Sequence, residues 1–303
     1  VDLGGVIKPT KLALEQLAGR VIAVDAYNAL YQFLAIIRGE AGEHLMDSQG
    51  RVTSHLSGLF YRNVNLLALD IKPIYILDGQ PPALKAMEIA RRRAVKQEAI
   101  VKYQEALSSG RFNEAKKYAQ ATSIIKDYMV DDTKRILDLL GIPWVEAPSE
   151  GEATAAHLTE VGLASDAASQ DFDSLLFGAK RLVRNVTITG RRKLPGKPIY
   201  VEVEPEEIEL RRVLSDLGIS REQLVDLGIL VGTDFNPDGF KGIGPAKALK
   251  HIKTYGRLEN IPGITAELEK IDYPAIRGIF LRPKVVKPKG VEWRETAFDG
   301  VIQ

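Results

Sequence analysis

Two rhythms of apolar residues alternate along this chain. Short runs rich in β-branched and other apolar residues, at 20–24, 73–77 and 142–145, read as buried strands, each followed by a turn or helix signal. Between them, residues 54–69 and 131–140 place apolar side chains three and four apart, the spacing of a helix with one buried stripe. Gly141 stands just past the second as a stop. Strand, helix and strand in this order predict an α/β fold built on a mostly parallel central sheet flanked by helices.

Residues 84–129 break the rhythm. Ala, Glu, Lys and Arg dominate, large apolar residues are few, and Ser108-Ser109-Gly110 interrupts the run, which predicts a pair of exposed helices. Residues 220–231 read as a helix, 232–244 as a Gly-rich loop, and Pro245 opens another helix running to about Tyr255. The stretch 220–255 is therefore expected to form a helix-hairpin-helix. The tail after Pro262 reads as irregular, and it reaches Gln303 without a capping signal, as a trimmed C-terminus would.

With 303 residues, 45% of them hydrophobic, the chain can bury a substantial core. No apolar run approaches the roughly 18 residues of a membrane span, and Lys8 and Lys11 break up the first residues, so neither membrane insertion nor export is expected. Zero cysteines exclude disulfides and thiolate metal sites. With only four histidines, any metal must rely on carboxylate oxygens. A net charge of +1 argues against binding nucleic acid by bulk charge, but the basic residues are concentrated: Lys85, Arg91, Arg92, Arg93, Lys96, Lys102, Arg111, Lys116, Lys117 and Lys126 outnumber the acids of their segment. No phosphate-binding G-x-x-x-x-G-K-[ST] loop exists. Asp234 to Gly239 resembles the opening of an EF-hand loop, but Pro245 occupies the position that needs a bidentate Glu.

In a parallel α/β sheet, active sites gather beyond the carboxyl ends of the strands, and acids recur there. Asp25 follows Val21-Ile22-Ala23-Val24, Asp78 follows Ile74-Tyr75-Ile76-Leu77, Glu150 and Glu152 follow Trp144-Val145, and Asp171 and Asp173 follow the small segment 165–170. Any one of them also reads as a turn former or helix cap, and Ser149 with Glu152 fits a capping box. Together they make a costly like-charge cluster unless cations neutralise it. Mg²⁺ suits such a site and shares its shell with a substrate phosphate. Two such ions about 4 Å apart activate a water and stabilise the leaving oxygen in phosphodiester hydrolysis. Further along, Gly242-Ile243-Gly244 ahead of the Pro245 helix lets backbone N–H groups approach a phosphate, with Lys247 and Lys250 adding charge, although a plain glycine turn reads the same way.

The segments VDAYNALYQF from Val24, YILDGQPPALK from Tyr75, EAPSEGEATAAHL from Glu146, SQDFDSLLFG from Ser169 and GILVGTDFNPDGFKGIGPAKAL from Gly228 occur in this order. They resemble the flap endonucleases of archaeal and eukaryotic type, within the wider 5′-nuclease superfamily, over almost the whole chain. The resemblance implies a PIN-like 5′-nuclease fold carrying a helical arch and a helix-hairpin-helix. It implies cutting of branched double-stranded DNA at a 5′ single-stranded flap, with 5′–3′ exonuclease action, in replication (Okazaki fragment maturation) and repair, inside the cell. It also implies two Mg²⁺ ions, replaceable by Mn²⁺, with Asp25, Asp78, Glu150 and Glu152 at one and Asp171, Asp173 and Asp234 at the other.

By the same resemblance Lys85 and Arg92, at the foot of the arch, contact the scissile phosphate, with Arg91 and Arg93 leaving the choice of arginine open. Tyr31 stacks on a nucleobase, where its spacing alone reads as core packing. Arg38 and residues 33–37 lie where relatives build a DNA-bending wedge. Gly242, Ile243, Gly244, Lys247 and Lys250 grip duplex DNA, with K⁺. The expected division is an N-terminal nuclease region at 1–96, an arch at 97–126, an internal nuclease region at 114–256 and a C-terminal segment at 257–303. Relatives begin Met-Gly, so two residues are expected before Val1. They also bind a sliding clamp through a C-terminal motif that does not follow Trp293 here. Another 5′-nuclease acting on bubbles or junctions, and a non-catalytic DNA-binding replication scaffold, are the alternatives.

Overall fold

Alternation within the strands decides which helices cover which face. The computed structural model describes residues 1–39, 42–188, 190–193, 200–286, 288 and 291–295. Among these, the strands are β1 (Thr10–Lys11), β2 (Val21–Asp25), β3 (Lys72–Leu77), β4 (Trp144–Glu146), β5 (Asp166–Ala168), β6 (Arg181–Arg184), β7 (Gly190–Lys193), β8 (Tyr200–Val203) and β9 (Glu206–Glu209). Seven of them form one sheet in the order β1-β9-β6-β5-β2-β3-β4, and β7 pairs with β8 alone. The run from β4 to β6 is parallel, and β9 and β1 extend it with antiparallel pairing.

Ile22 and Val24 of β2, with Tyr75 and Leu77 of β3, face one layer. This holds α1 (Ala26–Ile36), α2 (Ser54–Ala68) and α5 (Asp127–Leu139), packed through Leu30, Leu59, Leu66 and Leu137. Ala23, Ile74 and Ile76 face the other layer, made by α6 (Gly151–Glu160), α7 (Asp173–Leu176), α8 (Leu210–Leu217), α9 (Arg221–Val231), α10 (Pro245–Tyr255), α11 (Thr265–Leu268) and α12 (Tyr273–Leu281). Burying a side chain such as Leu30 or Leu59 completely contributes about 1.5–3 kcal/mol.

The basic segment forms α3 (Ala86–Ser108) and α4 (Phe112–Ala119). They pack through small residues, with Ala99, Ala106, Ala115 and Ala119 buried while α3 otherwise stays largely exposed. No helix breaker intervenes before Ser109, so α3 is one helix from Ala86 to Ser108 that spans residues 96 and 97. The reading of an irregular tail after Pro262 is corrected. Asp272 caps α12 by accepting from the Ala275 N–H at 3.0 Å, and Ile276 and Phe280 enter the core. Beyond it, the Trp293 indole donates to the Pro73 carbonyl at 3.0 Å. Among the described residues, no helix is long and apolar enough to cross a membrane.

Candidate active site

Strands β4, β3, β2 and β5 are neighbours, so the acids at their carboxyl ends lie side by side. Asp25 ends β2 and caps α1, accepting from the Asn28 N–H at 3.0 Å. Asp78 follows β3 and accepts from the Gly151 N–H at 2.6 Å. A Cβ on Gly151 would lie 2.7 Å from that carboxylate oxygen, so only glycine lets α6 start this close to Asp78. Glu150 is the N-cap residue of α6 but makes no capping bond with its side chain.

Glu152 turns inward and accepts from the hydroxyls of Ser169 at 2.6 Å and Ser174 at 3.1 Å. The capping box expected between Ser149 and Glu152 therefore does not form, because two buried hydroxyls satisfy this carboxylate instead. Asp171, after β5, accepts from the Asn28 side-chain amide at 3.3 Å. Asp173 opens α7, with the Val1 amine 2.5 Å from its Oδ1.

Asp234 comes from the turn after α9. That turn is pinned from below: Asn236 donates to the Ile229 carbonyl at 2.7 Å and accepts from the Thr233 hydroxyl at 2.7 Å, both residues being buried. Gly239 closes it with φ +54, where a Cβ would meet the Val231 carbonyl oxygen at 2.3 Å. Asp234 is left projecting toward α3.

The electrostatics are those of crowded acids. Burial, then repulsion from Asp78, pushes Asp25 well above the ordinary carboxylate range. Burial, then Asp173, Asp171 and Asp25, does the same to Glu152. Asp78, Glu150 and Asp173 are raised chiefly by burial. Asp234 is the exception: burial pushes it up, but the cations of Lys85 and Arg92 overcome that and hold it below its usual value.

Those two cations stand just before α3 and in its second turn. Lys85 pairs closely with Glu150 and lies 3.0 Å from Asp234, while Arg92 reaches Asp234 at 2.5 Å and Glu88 at 2.7 Å. Of the neighbouring arginines, Arg91 reaches Asp238 at 3.3 Å instead, and Arg93 is exposed. The Tyr31 ring is partly exposed and is covered by the Lys96 ammonium, 4.0 Å from its centroid.

The remaining residues read from the sequence lie apart from this cluster. Arg38 directs its donors inward, to the carbonyls of Leu34 and Gly42 and to the Ser123 hydroxyl, each at 2.9 Å. Gly242, Gly244, Lys247 and Lys250 are exposed at the loop and first turns of α10, whereas the Ile243 side chain packs into the core. Lys247 donates to the Gly242 carbonyl at 3.2 Å. Sequence reading overlooked Asn28, Gly151, Ser169 and Ser174, which hold the acids in place. The signals available were their positions within the motifs that carry the acids.

Among the described residues, no three His, Cys, Asp or Glu side chains form a ready-made ligand cage. Mg²⁺, which keeps several of its waters, does not require one. The donor chemistry fits a hard cation: the set is all oxygen, and an ammonium and a guanidinium already lie against Glu150 and Asp234.

An α/β sheet with acids at four adjacent strand ends, faced by Lys85 and Arg92 at the start of a basic helix, defines a nuclease. The XPG N-terminal domain matches residues 3–99 and the XPG I-region residues 141–234. Flap endonuclease 1 of Nitrosopumilus maritimus is 54% identical over 301 residues, covering 99% of this chain and 88% of that protein. The solved flap endonuclease-1 of Methanococcus jannaschii superposes with a TM-score of 0.77 at 40% identity, covering 100% of this chain and 90% of that one. The catalytic core of Rad2, solved in complex with a DNA substrate, shares the fold with a TM-score of 0.69 at 23% identity, over 97% and 88% of the two chains. The chain belongs to the flap endonuclease family.

Proposed function

We propose that Asp25, Asp78, Glu150, Glu152, Asp171, Asp173 and Asp234 hold two divalent cations, Mg²⁺ with Mn²⁺ as substitute, and that this centre cuts branched DNA at a 5′ flap. The observation that carries the reading is the meeting of acids from four neighbouring strand ends and a distant turn, faced by Lys85 and Arg92. Bound divalent ions would supply Lewis-acid stabilisation of the phosphate and lower the pKa of water. Lys85 and Arg92 would exchange Glu150 and Asp234 for the oxygens of the scissile phosphate, positioning it over the strand ends. Tyr31 exchanges Lys96 for a nucleobase, which any base satisfies through its π-face.

The basic residues of α3 and α4 line the path of the single-stranded flap, as an arch. The exposed glycines ahead of α10, with Lys247 and Lys250, take duplex phosphates through backbone N–H groups and the helix dipole, with a K⁺ ion. Arg38 and residues 33–37 form the wedge region, Arg38 acting there through its bonds to the Leu34 and Gly42 carbonyls. The protein works with DNA inside the cell.

The test is incubation of labelled 5′-flap DNA with Mg²⁺, with and without chelator, using the wild-type chain and Asp173→Ala. Cutting that needs the metal, and is lost in the variant while DNA binding persists, is the expected result. Equal loss of cutting and binding would mean that these acids shape the fold only. Faster turnover on a bubble or four-way junction would reassign the substrate.

A further inference from the structure

A line of polar side chains runs along α1 away from Asp171, which is itself exposed. Asn28 donates its amide to Asp171 Oδ2 at 3.3 Å. Gln32, one turn further along α1, donates its own amide to Asn28 Oδ1. Thr187, from the turn after β6, closes the line by donating its hydroxyl to Gln32 Oε1 at 2.6 Å. Thr187 is buried, and Asn28, Gln32 and Thr187, with Asp25, line a cavity of about 10 Å³, no larger than one water.

The direction of every bond in this line is dictated from one end. An ionised carboxylate can only accept, so Asn28 must turn its NH₂ group toward Asp171 and its oxygen toward Gln32. That oxygen accepts only, so Gln32 must in turn present its NH₂ group to Asn28 and its own oxygen to Thr187. Thr187, which could otherwise donate or accept, is then committed to donating. Read backwards, the Thr187 hydroxyl locks the Gln32 amide, which locks the Asn28 amide. Asn28 also places its backbone N–H on Asp25 at 3.0 Å, so one residue steadies acids from two strand ends.

We infer that Gln32 and Thr187 are positioning residues for the acidic centre: through Asn28 they fix the orientation of the Asp171 carboxylate for its cation. The inference rests on the metal reading given above. Removing a partner hydrogen-bonded directly to a ligand, as Asn28 is to Asp171, typically changes metal affinity by 10–100-fold, and Gln32 and Thr187 act through that bond, at the lower end of the range.

The experiment is a Mn²⁺ titration of the whole chain followed by electron paramagnetic resonance, without DNA, on wild type, Gln32→Met, Thr187→Val and Thr187→Ser. Circular dichroism melts run alongside. Gln32→Met and Thr187→Val keep side-chain size and remove the donors, and each should weaken Mn²⁺ binding by roughly tenfold. Thr187→Ser, which keeps the hydroxyl, should restore it. At saturating Mn²⁺ both donor-free variants should regain most of their cleavage rate, with KM for flap DNA unchanged. Wild-type Mn²⁺ affinity in Gln32→Met and Thr187→Val overturns the inference, as does equal weakening in Thr187→Ser. A wild-type chain that binds no Mn²⁺ overturns the metal reading itself, and this inference with it.

Discussion

Lys85 Nζ lies 3.0 Å from Asp234 Oδ2, an ion pair that ties the foot of α3 to the turn after α9. Burial disfavours the Lys85 ammonium, yet Glu150 and Asp234 reverse the balance and raise its pKa, so it stays charged across the physiological range. Under the proposed function a fixed, fully charged donor at this place would stabilise a phosphate in which charge develops, and removing such a donor costs about 10²–10³ in kcat. Lys85→Ala should therefore slow single-turnover flap cleavage by that factor with DNA affinity nearly unchanged. Wild-type rates would strip Lys85 of its role.

Gly151 tests how closely α6 must approach β3. A methyl group there would meet Asp78 Oδ1 at 2.7 Å, and the carboxylate is itself held by the Gly151 N–H, so neither can yield without losing the bond. Gly151→Ala should displace Asp78, cost about 1–3 kcal/mol in urea unfolding, and lower cleavage by more than the stability loss accounts for. An unchanged cleavage rate would show that the site tolerates a shifted Asp78.

The sequence made the strand-end acids legible because a hydrophobic run followed directly by Asp has few other places to go in a parallel sheet. Asp25 and Asp78 stand where that argument puts them. The partners were not legible: nothing local says that Ser169 and Ser174 close on Glu152, or that Thr187 reaches α1, since those contacts depend on which strands are neighbours. The antiparallel edge escaped for a different reason. Residues 181–184 and 206–209 carry Arg and Glu at alternate or flanking positions and lack the apolar run of a buried strand, although their Arg184–Glu206 pair at 3.2 Å crosses β6 and β9. In α12, Pro274 and Gly278 disguise a helix whose first turn accommodates proline readily.

Tyr31 carries a second prediction about DNA. Lys96 covers its ring at 4.0 Å, a geometry that marks this π-face as open to a flat or cationic partner. Stacking a base there contributes about 1–3 kcal/mol. Tyr31→Ala should lower flap cleavage by roughly 5- to 100-fold, while Tyr31→Phe keeps the face and the rate. Loss of activity in Tyr31→Phe would point to the hydroxyl rather than to stacking.

Cation binding should release protons. Asp25 and Glu152 lie well above the usual carboxylate range because they are buried and crowded by other acids, so protons must leave them before they become ligands. Mg²⁺ affinity should rise with pH. Calorimetric titrations in buffers of different ionisation enthalpy should give different apparent heats. Identical heats would mean that the acids are already ionised.

His44 sets an acid limit on stability by a separate route. Among the described residues its buried Nδ1 has no hydrogen-bond partner, and burial, then the charge of Arg38 with smaller contributions from His55 and Lys126, lowers its pKa from 6.5 to about 4. The neighbouring His55 is also lowered by burial, despite Asp132 at 3.5 Å from its Nε2. A histidine depressed in the folded state contributes stability that is complete above pH 6.5 and is lost as pH falls from there toward about 4, because the unfolded chain takes up the proton first. His44→Gln removes that titration. Urea unfolding across this window should show the wild-type chain losing stability with a slope steeper by up to one proton, and the two curves running parallel above it. Parallel curves throughout would mean that His44 titrates normally in the fold.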